Sequence, residues 1–203
     1  KKMSFIIIAL AVVLSTFYLA GSTIHENLVS ETKGPVHWHA DYQVIACGER
    51  LDLINPKFPR NKIGSPLFHE HNDDRIHIEG TVHKLQDISL GSYFQVIGGS
   101  LTQASFSYPT DTHGLVGLSN NDLCPDGTPG ILKVYVNGKK ISNPEYHLIY
   151  PDPIVPNGDC IIVLFDQSDS ETTDILCESW EVKEKNYNNF ERDSVTIGDH
   201  TWQ

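Results

Sequence analysis

Two segments of this chain alternate between apolar and polar residues with the period of two that a half-buried β-strand requires. In residues 35–46 the apolar face consists of Val36, Trp38, Ala40, Tyr42, Val44 and Ala46. In residues 75–82 the apolar face consists of Ile76, Ile78 and Val82. The opposite faces carry His37, His39, Asp41 and Gln43 in the first segment and His77, Glu79 and Thr81 in the second, with His83 following. The pattern predicts two strands that each bury one face and expose a polar one.

An unbroken apolar run occupies residues 5–21, directly after Lys1 and Lys2. At about 1.5 Å of rise per residue it makes a helix about 25 Å long, slightly shorter than the hydrocarbon core of a bilayer. Such a run is typical of a membrane anchor and also of a signal peptide, for which Ala20-Gly21-Ser22 offers a cleavage site. We expect an anchor that stays attached. The lysines before the run and the acidic chain after it place the remaining residues outside the cytoplasm.

Shorter signals predict the other elements of the chain. Ser89 is a helix N-cap residue, and Asn137-Gly138 is a strong hairpin-turn signal. We expect a polar stalk at residues 23–34 and one domain at residues 35–166. Its first half is predicted to contain a strand at 50–54 that forms a hairpin with the strand of residues 35–46, a loop at 55–66 and a helix at 90–97. A long loop at 100–130 with one strand near Phe106, a hairpin at 131–142, and strands at 146–150 and 160–165 are predicted to follow. Residues 167–203 predict a polar extension that is acidic at its start.

The order of these elements predicts an α+β fold. Specifically, we expect a strand-dominated, β-grasp-like roll with one short helix, preceded by the N-terminal apolar helix of residues 1–22.

Composition narrows the functional classes. The formal net charge of −11 argues against a nucleic-acid partner. Four cysteines in an exported chain predict two disulfides, and three pairings are open. No C-x-x-C motif is present, so the cysteines are expected to be structural rather than metal-binding or redox-active; they are Cys47, Cys124, Cys160 and Cys177.

The histidines are the residues that indicate chemistry. Six of the ten histidines fall between residues 37 and 83, and they are His37, His39, His69, His71, His77 and His83. Neutral imidazole is the commonest metal ligand in proteins, and an H-x-H pair on a strand presents both rings to one side. The cluster predicts a transition-metal site, with copper or zinc as the cofactor and Asp41 and Glu79 as ligands or as partners of the ligands. The alternative is a set of solvated histidines without a ligand. Residues 72–74, Asn-Asp-Asp, lack the spaced ligands of a calcium loop and predict a turn.

The motifs together carry a resemblance over residues 35–165. His37-Trp-His-Ala-Asp41, His69-Glu-His71, Ile76-His-Ile-Glu-Gly80, Ser89-Leu-Gly-Ser-Tyr-Phe94 and Val136-Asn-Gly138 resemble those of a group of uncharacterised, exported, membrane-anchored proteins of archaea and small-genome bacteria. The resemblance implies export and the limits of the domain. It implies no activity.

Three functional hypotheses follow. The leading one is a domain on the extracytoplasmic face of the cell membrane, anchored by residues 5–21, that binds a transition metal. The second is a pilin-like subunit of a cell-surface filament, a homo-oligomer in which residues 5–21 pack against neighbouring subunits' helices. The third is a metal-dependent enzyme, although no H-E-x-x-H, G-x-S-x-G, Walker or dinucleotide-binding motif occurs.

Overall fold

The structure is a computed structural model that describes residues 2–149, 158–167 and 177. In these residues the helices are α1 (Lys2–Val29) and α2 (Leu90–Val96), with short 3-10 turns at Leu85–Ile88 and Pro144–Tyr146. The strands are β1 (Pro35–Ala46), β2 (Glu49–Arg50), β3 (Ile63–Gly64), β4 (Phe68–Glu70), β5 (Arg75–Thr81), β6 (Ser100–Leu101), β7 (Ser105–Thr110), β8 (Gly114–Ser119), β9 (Ile131–Val136), β10 (Lys139–Ile141) and β11 (Cys160–Asp166).

One large mixed sheet organises the domain. Its strands follow the order β10-β9-β11-β1-β5-β4-β3, with β2 paired to the end of β1. The first and last long strands, β1 and β11, are parallel neighbours at the centre, whereas β5 and β9 flank them antiparallel. Along the chain, helix α2 follows the antiparallel pair β4–β5 and precedes the antiparallel pair β9–β10. This is the strand arrangement of a β-grasp roll, and the predicted α+β fold is confirmed.

The two faces of the sheet are buried to different extents. The predicted apolar face of β1 joins Ile76, Ile78 and α2 in the main core, as the alternation requires. A smaller apolar cluster covers part of the other face and includes Tyr135, Cys160, Ile162, Leu164 and Cys177. Strand β11 therefore lies between two apolar layers, which explains its continuous run of apolar residues. The histidines project from the part of this second face that is formed by the start of β1, by β5 and by β4.

The strand predicted near Phe106 is present as β7, but the prediction that the rest of residues 100–130 forms a long loop is wrong. Strands β6, β7 and β8 form a second, three-stranded antiparallel sheet in this region. In β7 the buried positions Phe106 and Tyr108 alternate with more exposed serines, and both aromatic rings pack in the main core. Tyr108 packs against Tyr42 of β1 and Phe94 of α2, and Phe106 packs against Phe165 of β11. This burial gives the polar segment its regular structure.

The predicted strand at residues 146–150 is also wrong for residues 146–149, and residue 150 lies outside the described residues. The chain instead forms a 3-10 turn that ends at Tyr146, and Leu148 makes a single bridge with Ser89. The backbone N–H of Ile149 donates to the carbonyl of Ile88 at 3.1 Å. This segment therefore pairs with the chain around the start of α2, where Ser89 is the N-cap, and not with the large sheet.

Helix α1 continues beyond the apolar run and includes part of the predicted stalk. It is 28 residues long, and it is long and apolar enough to cross a membrane. No residue of α1 is buried against the domain. The end of the helix is nevertheless attached to β5, because Thr81 donates to the side chain of Asn27 at 3.4 Å and the Glu31 N–H donates to the Val82 carbonyl at 3.0 Å. The connection between the helix and the domain is thus a hydrogen-bonded joint.

All four cysteines form disulfides, as predicted, and the structure selects one of the three open pairings. Cys47 bonds to Cys124, and Cys160 bonds to Cys177. The first bond ties the end of β1 to the segment after β8, and the second holds Cys177 over the central strands. Apart from Gln167 and Cys177, the predicted C-terminal extension lies outside the described residues.

Candidate metal centre

The pairing of three strands brings the histidines together. His39 of β1 lies opposite His77 of β5, and His77 lies opposite His69 of β4. His37 lies opposite Glu79 in the next row of the β1–β5 pair. Because side chains on one face of a sheet recur every second residue, all of these groups project from the same face. The register of β1, β5 and β4 therefore converts separate H-x-H motifs into one cluster.

The ring nitrogens form two groups of metal-ligand dimensions. One group contains His37, His39 and His77, and the other contains His69, His71 and His77. Within each group one nitrogen from each residue lies within 4.8 Å of the others. His77 belongs to both groups, and its ring centroid lies 4.7 Å from that of His39 and 4.9 Å from that of His71. The two H-x-H pairs therefore lie next to each other and share His77, but they form two groups and not one set of mutually close donors.

The hydrogen bonds of His69 determine where its proton lies. Nδ1 of His69 is 3.1 Å from the backbone carbonyl oxygen of Ser65, and a carbonyl oxygen only accepts, so Nδ1 carries the hydrogen. Burial lowers the pKa of His69 to about 4, and the nearby Lys62 adds to this shift while Glu79 opposes it. The ring is therefore neutral at neutral pH, and Nε2 has an unprotonated lone pair. This nitrogen is buried and has no hydrogen-bond partner among the described residues.

His71 and His77 are oriented in the same manner. Nδ1 of His71 donates to the carbonyl of Asn61 at 2.9 Å, and Nε2 of His77 lies 3.2 Å from a carboxylate oxygen of Asp73. In a neutral ring each of these contacts leaves the second nitrogen as a lone-pair donor. For His77 that nitrogen is Nδ1, which is buried and without a hydrogen-bond partner in the described chain. Fixing the outer nitrogen of a histidine in this way is how proteins orient metal-binding imidazoles.

Glu70 shapes the turn that supplies Asp73. Its buried carboxylate accepts hydrogen bonds from three consecutive backbone N–H groups, those of Asn72, Asp73 and Asp74, at 2.5, 2.6 and 3.0 Å. Asn72 and Asp74 adopt positive φ angles of 66° and 57°, which Asn and Asp tolerate better than most residues. The predicted turn at residues 72–74 is confirmed, and it directs Asp73 toward His77.

Glu79 lies between the two groups of histidines. One carboxylate oxygen, Oε1, is 3.2 Å from Nε2 of His37, and the other, Oε2, is 3.6 Å from Nε2 of His69. The Glu79 side chain is 39% exposed, so the carboxylate borders solvent. The predicted place of Glu79 beside the cluster agrees with the structure.

Electrostatics at His39 favour an uncharged ring. Burial lowers the pKa of His39 to about 4, and the nearby His77, His37 and Arg75 add to the shift, whereas Glu79 opposes it. A neutral imidazole presents a lone pair to a cation without first losing a proton.

Two sequence-predicted residues do not join the cluster. Asp41 is buried in an ion pair, in which Nε of Arg75 donates to its Oδ1 at 2.9 Å, and it belongs to neither histidine group. His83 lies 3.4 Å from a carboxylate oxygen of Glu26 in α1. Its prediction as a ligand is not supported, because β5 ends at Thr81 and the alternation that would place His83 beside His77 ends with it.

Sequence reasoning missed the groups that orient the rings. The sequence indicates only a turn at Asp73, and the carbonyls of Ser65 and Asn61 lie in a segment whose composition predicts a loop. The spacing Asp73-x-x-x-His77 is a usable signal for one of them. No sequence signal identifies the two backbone carbonyls, because any residue supplies one.

Comparison of the chain with models of known protein families, with curated protein sequences and with solved structures found no match. The features of the chain that bear on function are therefore the histidine cluster and α1.

Proposed function

We propose that this chain is a membrane-anchored protein whose extracytoplasmic domain binds a divalent transition metal, zinc or copper, through the histidine cluster. The observation that carries the proposal is a pair of buried nitrogens, Nε2 of His69 and Nδ1 of His77, that have no hydrogen-bond partner among the described residues. A buried polar atom that remains unpaired costs about 1–3 kcal/mol. Coordination to a metal ion would give such a nitrogen a partner.

The chemistry of the donors selects the class of metal. Every ligand atom of the two groups is an imidazole nitrogen. The Glu79 carboxylate lies beside His37 and His69, and all four cysteines are used in disulfides. Imidazole suits Zn²⁺ and Cu²⁺, whereas Mg²⁺ and Ca²⁺ prefer sites built from oxygen ligands. Thiolate and thioether ligands, which favour Cu⁺, do not contribute to this cluster. We therefore expect zinc or cupric copper.

The location rests on α1 and the disulfides. An α1 of 28 residues with no buried side chain needs a non-aqueous environment for its apolar surface. Disulfides persist in oxidising compartments and are rare in the cytoplasm. The two features together support a domain held at the extracytoplasmic face of a membrane.

Two alternatives share the same observations in part. The exposed surface of α1 also suits packing against the helices of neighbouring subunits, as in a surface filament. A metal centre with an open coordination position also suits an enzyme, since a bound metal can activate water. Metal binding for delivery, sensing or storage requires fewer assumptions than either, because it calls only on the histidines and on the groups that orient them.

Titration of the detergent-solubilised full chain with Zn²⁺ and Cu²⁺ tests the proposal. We expect calorimetry to show saturable binding that withstands a competing chelator of micromolar affinity. Mg²⁺ and Ca²⁺ should give no such signal. His113→Ala is a matched control, because His113 is an exposed histidine that pairs with Glu49 at 3.1 Å outside the cluster.

Absence of competitive Zn²⁺ and Cu²⁺ binding, or equal binding of Ca²⁺, would contradict the proposed function. The state of the purified protein in detergent also distinguishes the membrane-anchored domain from the filament subunit. Detergent-soluble monomers are expected for an anchored domain, whereas detergent-resistant polymers are expected for a filament subunit.

A further inference from the structure

The cluster contains more donors than one ion uses. Five imidazoles and one carboxylate meet on one face of β1, β5 and β4, whereas zinc in proteins is usually four-coordinate. The donors divide into two groups, one based on His37 and His39 and one based on His69 and His71. An ion centred in either group leaves the two histidines of the other group unused.

Glu79 is placed to serve both groups. In a tetrahedral site with metal–ligand bonds of about 2.0–2.1 Å, two donors of the same ion lie about 3.3–3.4 Å apart. The separations of 3.2 Å from Oε1 to His37 and 3.6 Å from Oε2 to His69 lie on either side of that value. Each carboxylate oxygen therefore lies near one histidine of a different group, at a separation that two ligands of one ion can have, although Glu79 belongs to neither group of mutually close donors.

From this geometry we propose that the cluster is a two-metal centre bridged by Glu79. This inference rests on the proposed function. One ion is bound by His37, His39 and Oε1 of Glu79, and the other by His69, His71 and Oε2. His77 completes one of the two coordination spheres through Nδ1, because its Nε2 is engaged by Asp73. Solvent fills the remaining positions.

A bridging carboxylate also reduces the electrostatic repulsion between two neighbouring cations. Bridged ions in two-metal sites lie about 3.5–4 Å apart and repel each other. The negative charge of Glu79 lies between them, and the carboxylate of Asp73 adds a further negative charge behind His77. The proposal thus assigns Glu79 a role as a ligand of both ions.

The number of bound ions tests the inference. The full chain in detergent is dialysed against Zn²⁺ together with a weak chelator that removes surface-bound metal, and metal per chain is measured by elemental analysis. We expect two ions for the wild type and for the control His83→Ala. His37→Ala and His71→Ala should each retain one ion. The His37 side chain is 65% exposed, so its removal leaves the core unchanged.

The Glu79→Gln variant tests whether Glu79 is a ligand of both ions or only a neighbour of the histidines. We expect this variant to bind the second ion at least tenfold more weakly than the wild type. Glu49→Gln is the matched control, because Glu49 pairs with a histidine at similar distance but outside the cluster. With Cu²⁺ in place of Zn²⁺, the doubly loaded wild type should show a spin count well below two per chain, owing to magnetic coupling through the carboxylate. Singly loaded His37→Ala should show one uncoupled copper.

One ion per wild-type chain would overturn the two-metal centre and leave metal binding intact. Two ions retained in both His37→Ala and His71→Ala, or an unchanged second affinity in Glu79→Gln, would also overturn it. No bound ion in the wild type would instead overturn the proposed function itself.

Discussion

Replacing His77 by alanine is expected to lower the affinity for Zn²⁺ by at least about 100-fold, since residues that only orient the ligands already contribute 10–100-fold. Among the described residues, His77 is the histidine that belongs to both groups of donors, so the coordination sphere that it completes loses a ligand. Calorimetric titration of the variant and the wild type, both in detergent, measures the effect. Circular dichroism of the metal-free proteins shows whether the fold is retained.

Two control variants distinguish the loss of a ligand from other effects of the substitution. His113→Ala removes an exposed histidine outside the cluster and should leave affinity unchanged. Asp73→Asn keeps the ring of His77 but weakens its orienting contact, so it should cause a smaller loss than His77→Ala. Wild-type affinity in a folded His77→Ala protein would show that metal binds elsewhere.

Removing the Cys47–Cys124 disulfide is expected to destabilise the fold more than removing the Cys160–Cys177 disulfide. The first bond spans 77 residues of sequence, and the chain-entropy relation gives about 4.5 kcal/mol for a loop of that length. The second bond spans only 17 residues, for which the same relation gives about 3 kcal/mol. Urea unfolding of the double-serine variants of each pair measures both losses.

The order of the two losses is the informative result. If the Cys160/Cys177 variant were the less stable one, burial of Cys177 against the second apolar cluster would matter more than loop closure. Thiol titration of the denatured, unreduced wild type should find no free thiol. Two or more free thiols per chain would contradict the pairing.

The alternation of residues along a strand predicts from the sequence which histidines share a face, but it predicts no more of the cluster than that. A period of two fixes which side chains share a face, so His37 and His39 can be placed on the polar side of β1 from the sequence. Alternation does not fix the register between strands, however. The pairing of His39 with His77 is a property of the β1–β5 register, and His83 lies outside both groups because β5 ends at Thr81.

Other errors have identifiable physical causes. Residues 105–108 alternate between serine and aromatic residues and predict the strand near Phe106, but the glycines, serines and polar residues around them favour a loop where β6 and β8 form. Proline is tolerated in β7 despite lacking an N–H. The segment at 146–150 has the residue types of a strand, yet the Pro144–Tyr146 turn leads it to the start of α2 instead. Disulfide pairing could not be derived because it depends on the tertiary fold.

X-ray absorption at the zinc edge of the zinc-loaded, detergent-solubilised full chain tests the central claim most directly. Zinc bound by the cluster predicts a first shell of nitrogen and oxygen at about 2.0–2.1 Å. It also predicts the outer-shell scattering of at least two imidazole rings per zinc ion. A sulfur shell at about 2.3 Å, or an oxygen shell without imidazole scattering, would contradict a metal centre built from these histidines.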